Sequence, residues 1–221
     1  MNWISNLNNI KNSKVWIFSG LLDKTVYQGV VDKTSEFYQH FGANVNYVNT
    51  MQVSHLVPTD LPQNPSSNPC TQGKDGVANC NFDGAGAMFA HIMPNKEQKP
   101  LIPRDMDWKS KGTLSTFDQS EFVSQSDWEV SSFDDQGYVY IPNSCSSTQC
   151  RVHIVTHGCG GGASYIGTGF IENAGYLEWA ATNDIALVFP QIKGNKIQGQ
   201  FQGCWDFFGY TGDDYTLNQG I

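Results

Sequence analysis

Short, largely apolar runs separated by stretches of helical spacing constrain this chain more than any other feature. Lys14-Val15-Trp16-Ile17-Phe18-Ser19-Gly20, Arg151-Val152-His153-Ile154-Val155-Thr156 and Ile185-Ala186-Leu187-Val188-Phe189-Pro190 lack the strict polar alternation of a half-exposed strand. Strands of that kind need cover on both faces, as in a parallel sheet flanked by helices. Asn44 to Val48 and Gly137 to Pro142 read as further strands. Val26 to Phe41 has apolar residues at helical spacing, with Gly42 as its stop, and a second helix fits Phe170 to Thr182. Asp83 is placed to cap a helix running through Met93. Gln52 to Cys80, rich in Pro, Asn, Ser and Gly, is predicted to be a long loop. Pro94 to Gln136 is polar and weakly patterned, and is predicted to be surface connection with short strands at best. The alternation predicts an α/β protein with a mostly parallel sheet flanked by helices.

The 221 residues suit one large domain or two small ones. Apolar residues make up 39 % and charged ones 15 %, which excludes general disorder. A net charge of −8 argues against nucleic acid or an anionic membrane as partner. No apolar run approaches the roughly 20 residues that cross a bilayer, and Met1 to Lys14 lacks a signal-peptide pattern. The six cysteines show no zinc spacing. Pairing as Cys70 with Cys80, Cys145 with Cys150 and Cys159 with Cys204 is consistent with an exported, extracellular protein. Six reduced cysteines in a cytosolic protein are the alternative. Export without a signal peptide carries the expectation that the start of the chain is missing.

Three pieces bear chemistry. Asp23 lies three residues past the strand-ending Gly20, where α/β enzymes place an acid that orients a histidine. It equally suits the N-cap of a helix starting near Val26. His55 follows the next strand, in Val53-Ser54-His55-Leu56-Val57-Pro58-Thr59, and matches the base half of a serine-hydrolase triad. A surface histidine in a loop is the plain alternative, and His40, His91 and His153 read as structural. The third piece is His157-Gly158-Cys159-Gly160-Gly161-Gly162, which lacks the Lys-Ser/Thr ending of a phosphate loop. It fits the letters of a dinucleotide turn, but the next strand ends Phe189-Pro190-Gln191 with no acid for a ribose. His153 and His157, four apart on a strand, would sit roughly 13 Å apart at about 3.3 Å per residue, too far to share a metal. The turn fits best as half of an oxyanion hole, with the Cys159 N–H as donor.

Together these segments resemble the extracellular poly(3-hydroxybutyrate) depolymerases of the single-domain, circularly permuted α/β-hydrolase type. The resemblance rests on Phe18-Ser19-Gly20-Leu21-Leu22-Asp23, Ser54-His55-Leu56-Val57-Pro58-Thr59, Asn68-Pro69-Cys70 and Asn79-Cys80-Asn81-Phe82-Asp83-Gly84-Ala85-Gly86. It continues through Gly137 to Pro142, Thr156-His157-Gly158-Cys159, Asn173-Ala174-Gly175-Tyr176 and Gly203-Cys204-Trp205-Asp206-Phe207-Phe208-Gly209-Tyr210. It implies Asp23 as triad acid, His55 as base, the Cys159 amide as oxyanion donor, and Trp205 with neighbouring aromatics as walls of a polyester groove. Core packing is the other reading of Trp205. The resemblance implies one α/β-hydrolase domain over 14–221, incomplete in this chain: an acid and histidine half at 14–93, a connection at 94–136 and an oxyanion half at 137–221. It implies a polyester or other ester as substrate, no cofactor and no metal, and a monomer when complete.

The nucleophile is the missing part. No Gly-x-Ser-x-Gly occurs in the chain, Ser164 lacks the second glycine, and Ser19 ends the acid strand. Acid and base precede the oxyanion strand, so in a permuted order the nucleophile segment falls outside these residues. The expectation is a fragment that is inactive and poorly stable alone, from a hydrolase of polyhydroxyalkanoate-like esters. A feruloyl or acetylxylan esterase of similar build and a non-catalytic polymer-binding protein are the rival readings.

Overall fold

The computed structural model describes residues 6–61, 68–72, 76–93, 101–194, 202–206 and 209–212. It divides into two compact units, one formed by 1–101 with 173–175 and the other by 102–172 with 176–221.

In the first unit, β1 (Lys14–Phe18) and β2 (Asn44–Val48) pair in parallel with Phe18 opposite Val48. The helix between them, α1 (Gln28–His40), starts two residues later than Val26. Thr25 and Val26 are held instead in a turn, both donating to Asp23 Oδ1 at 2.8 and 2.9 Å. Tyr27 is the N-cap, so Asp23 is not. Gly42, with φ of +79°, follows the helix end as expected. The predicted loop from Gln52 to Cys80 contains three short parallel strands, β3 (Val57–Thr59), β4 (Asn68–Pro69) and β5 (Val77–Asn79), in the order β3-β5-β4. Two- and three-residue strands are too short to leave a period in the sequence. The parts of that loop at 62–67 and 73–75 lie outside the described residues. Val53, Leu56 and Ala78 form a small core with Phe18, Met51 and the Cys70–Cys80 disulfide. Asp83 caps α2 (Gly84–Ile92), its carboxylate accepting the Gly86 N–H at 2.7 Å.

The rest of the chain brings α3 (Trp108–Lys111), β6 (Gly112–Asp118), α4 (Gln125–Ser131), β7 (Gln136–Pro142) and β8 (Arg151–Ile154). After these come α5 (Ala163–Ile166), α6 (Gly169–Asn173), α7 (Tyr176–Ala180) and β9 (Ile185–Phe189). Four strands of the second unit form a sheet in the order β6-β7-β9-β8. Only β8 and β9 are parallel there, and β6–β7 and β7–β9 are antiparallel. The sheet is therefore mixed rather than mostly parallel. The segment read as connection supplies β6, seven residues long; residues 94–100 lie outside the described ones. The physical reason is that β6 pairs on one side only and carries exposed Thr113, Ser115 and Thr116, so its apolar signal is weak. The single helix expected over Phe170 to Thr182 is broken into α6 and α7 because Gly175 takes a left-handed φ of +87°. β8 closes one edge of the sheet, with Val152 and Ile154 each 62 % exposed.

The second unit's core is built on Tyr140, Leu177, Ile185, Leu187 and Phe189. The buried Tyr140 hydroxyl donates to the Trp108 carbonyl at 2.8 Å, and its ring meets the Trp108 ring edge-on at 5.8 Å. Burial, with the charges of Glu178 and Asp105, pushes this phenol up to about 12, so it stays a donor. Tyr140→Phe leaves the Trp108 carbonyl without its partner. The expected outcome is a loss of about 1–2 kcal/mol of unfolding free energy, seen as a lower urea midpoint at unchanged slope.

Candidate active site

Parallel pairing of β1 and β2 delivers both strand exits to the same end. The segment after β1 is then tied to the segment after β2: Leu21 N–H donates to the Met51 carbonyl at 2.8 Å and Leu22 N–H to the Val53 carbonyl at 3.0 Å. A side chain at position 20 would run into the Val53 carbonyl, so only glycine allows this approach. From the other side, Ser54 N–H donates to the Cys70 carbonyl at 2.9 Å, so the Cys70–Cys80 disulfide steadies the histidine loop.

The backbone thus brings Asp23 and His55 together. Asp23 Oδ2 lies 2.8 Å from His55 Nδ1. With Oδ1 taken by the Thr25 and Val26 N–H groups, the carboxylate accepts three hydrogen bonds. Burial pulls the Asp23 pKa upward, but the bonds from His55, Val26 and Thr25 outweigh it and hold the carboxyl below its ordinary value. An ionised acceptor at Nδ1 requires a proton there, which leaves Nε2 of neutral His55 as a lone-pair base. The Asp23 side chain is 11 % exposed and that of His55 is 54 % exposed. Acid inside and base outside is the arrangement a proton shuttle needs. Ser19, one residue past β1, is buried.

In the second unit, β8 runs through Val155, whose N–H donates to the Val188 carbonyl at 2.8 Å, into the glycine turn. Gly160 takes φ of +70°, and Gly161 N–H closes the turn on the Gly158 carbonyl at 3.0 Å. Cys159 is exposed, and no acceptor among the described residues takes its N–H. Its side chain is joined to Cys204, and the third disulfide is Cys145–Cys150. Trp205 is half-buried: its indole N–H donates to the His157 carbonyl at 2.9 Å, and its ring packs on His157 and Phe133. The core-packing reading of Trp205 thus has direct support, with part of the ring left open. Asp206 gathers the N–H groups of Gly209, Tyr210 and Thr211 into a turn; Phe207 and Phe208 lie outside the described residues.

Sequence reasoning missed Gln119 and Gln191. Gln191 is 3 % exposed, and its Oε1 accepts the N–H of Ala163 at 2.8 Å. Gln119, also buried, bonds both the N–H and the carbonyl of Gln191, at 2.9 Å each. No periodicity marks either residue, and Gln119 fell in the segment read as connection. Among the described residues no three His, Cys, Asp or Glu side chains gather as metal ligands, and no helix is long and apolar enough to cross a membrane.

A lowered Asp23 pKa has a signed consequence for stability. The pair's contribution is complete above the ordinary carboxylate range and is lost as pH falls through the depressed folded value. Denaturation midpoints of wild type and Asp23→Asn, measured against pH, are therefore expected to converge on acidification. A constant gap would show that Asp23 is not held ionised.

No protein-family model matches the chain. It is 32 % identical over 219 residues to a poly(3-hydroxybutyrate) depolymerase of Delftia acidovorans, covering 96 % of this chain and 40 % of that protein. It is also 32 % identical over 234 residues to a polyhydroxybutyrate depolymerase of Talaromyces funiculosus, covering 100 % of this chain and 66 % of that one. The chain thus spans less than two thirds of either curated relative. Among solved structures, a PHB depolymerase with a serine-to-alanine substitution, complexed with an R3HB trimer, superposes with a TM-score of 0.84 at 31 % identity over 97 % of this chain and 68 % of that one. The PHB depolymerase of Penicillium funiculosum gives 0.83 at 30 % identity, with the same coverage. On sequence and structure together, the chain belongs to the PHB depolymerase family.

Proposed function

We propose that this chain supplies the acid, the base and one oxyanion donor of a serine-type carboxylic ester hydrolase acting on a polyhydroxyalkanoate-like polyester. The observation that carries the reading is the Asp23 Oδ2 to His55 Nδ1 bond at 2.8 Å, which leaves Nε2 on an exposed ring. The relatives named for polyester hydrolysis supply the substrate class. No serine of the 221 residues sits in a Gly-x-Ser-x-Gly turn, so the nucleophile is proposed to come from sequence beyond them, in permuted order. Three disulfides favour secretion.

In the complete protein the serine Oγ attacks the ester carbonyl carbon while its proton passes to His55 Nε2. Asp23 stabilises the imidazolium through the Nδ1 proton and stays ionised. The carbonyl π electrons move onto oxygen, where the Cys159 N–H donates to the developing charge. Collapse expels the hydroxyl end of the leaving unit, protonated by His55. Water activated by the same nitrogen then releases the acyl group as a carboxylic acid and restores the serine. The open part of the Trp205 ring is proposed to line the polymer groove.

Two measurements test the reading. A gene product that includes these residues and a nucleophile turn is expected to hydrolyse p-nitrophenyl butyrate, with Asp23→Asn or His55→Ala lowering kcat by about 10³- to 10⁴-fold. The 221 residues alone are expected to show no turnover. Enzyme-like hydrolysis by the 221 residues would place the nucleophile within them. Polymer binding without turnover by the longer product would make it a binding protein.

A further inference from the structure

The imidazole of His157, which the reaction itself does not use, is 4 % exposed at the head of the glycine turn. Its two nitrogens meet partners of fixed polarity. Nε2 receives the Ile192 N–H at 3.1 Å, and a backbone N–H can only donate, so Nε2 carries a lone pair. Nδ1 lies 2.8 Å from the Gly158 carbonyl oxygen, which can only accept, so Nδ1 carries the proton. The neighbours therefore admit one neutral tautomer. Burial, the dominant influence, lowers the ring's pKa, against upward pulls from the Gly158 carbonyl and the charge of Asp134.

The Gly158 carbonyl also accepts the Gly161 N–H at 3.0 Å. It belongs to the same peptide group as the Cys159 N–H, and in a planar trans peptide the two point in opposite directions. Two donors drawing the carbonyl toward the His157 ring thus turn the Cys159 N–H away from it. That N–H has no acceptor among the described residues, and a Cβ at Gly158 would meet none of their atoms within 4 Å. Released from the ring, this glycine-flanked peptide could rotate and present its carbonyl in place of the donor. The anchor of Nε2 is itself held: Ile192 follows Gln191, whose N–H and carbonyl are both bonded by Gln119.

We infer that His157 is a positioning residue, whose Nδ1–H tautomer locks the Gly158–Cys159 peptide in the orientation that presents the Cys159 N–H to the reacting oxygen. This rests on Cys159 being the oxyanion donor. Asparagine places an N–H near the position of Nδ1, whereas glutamine reaches the position of Nε2 and offers nothing to the Gly158 carbonyl. In the complete gene product, with folding checked by circular dichroism, His157→Gln is expected to lower kcat on p-nitrophenyl butyrate by about 10²-fold with KM within about twofold, the size of one lost oxyanion donor. His157→Asn is expected to recover most of that loss. Equal losses in both variants, or a loss confined to KM, would overturn the inference.

Long-range ¹H–¹⁵N spectra of the wild-type protein at neutral pH read the tautomer directly, whether or not the variants fold. A protonated Nδ1 with a bare Nε2 is expected, and a protonated Nε2 overturns the proposal. A folded product with the expected tautomer but no ester hydrolysis would instead refute the proposed function and leave the peptide lock standing.

Discussion

The close approach of Gly20 to the carbonyl of Val53 governs how Asp23 and His55 meet. Parallel pairing of β1 with β2 only guarantees that two chain segments leave the same sheet end. What converts that into a defined geometry is the run of backbone bonds between the exits, Leu21 to Met51 and Leu22 to Val53. Each is worth about 1 kcal/mol net, but together they fix register, and register decides whether a carboxylate and an imidazole meet at 2.8 Å. Side-chain attraction alone could not do this for an exposed histidine, because an ion pair open to water contributes little. The pair is placed by main chain, and its charge then refines the placement.

The glycine turn of the second unit is organised on a different principle. Its backbone is held by side chains whose partners are main-chain groups of fixed hydrogen-bond polarity: Gln191 Oε1 on the Ala163 N–H, the His157 ring between the Ile192 N–H and the Gly158 carbonyl, and the Trp205 N–H on the His157 carbonyl. Such a network has one consistent assignment of donors and acceptors, so it selects one conformation of a segment that four glycines leave permissive. The Cys159–Cys204 disulfide, joining positions 45 apart, narrows the unfolded ensemble and does not by itself choose the peptide orientation.

Legibility in the sequence followed exposure and period. Asp23 and His55 could be read as a pair because each is an ionisable residue in the segment that follows a strand, and Cys70–Cys80 and Cys145–Cys150 because close spacing favours local bridges, whereas 45 positions separate Cys159 from Cys204. β6 escaped notice because it is an outer strand with Thr113, Ser115 and Thr116 exposed, so it has no continuous apolar run. The α6–α7 break escaped notice because Gly175 interrupts a pattern that is otherwise helical on both sides. The N-cap reading of Asp23 failed for a related reason. Its carboxylate does bind the N–H groups of Thr25 and Val26, as a cap would, but in a turn that precedes the helix.

Residues that touch a substrate must be exposed, and polar residues just past strands announce themselves. The groups that hold them in place are buried, and a buried glutamine or histidine looks in sequence like a surface residue in the wrong position. Gln119 and Gln191 stand 72 positions apart yet bond each other on both edges of one peptide segment, a pairing that neither composition nor spacing encodes. The cost of burying two amides is offset only when their hydrogen bonds are satisfied, and the bonds that Gln119 and Gln191 make to main-chain groups meet that condition. Apolar glutamine replacements would remove those bonds while leaving the backbone groups they serve buried.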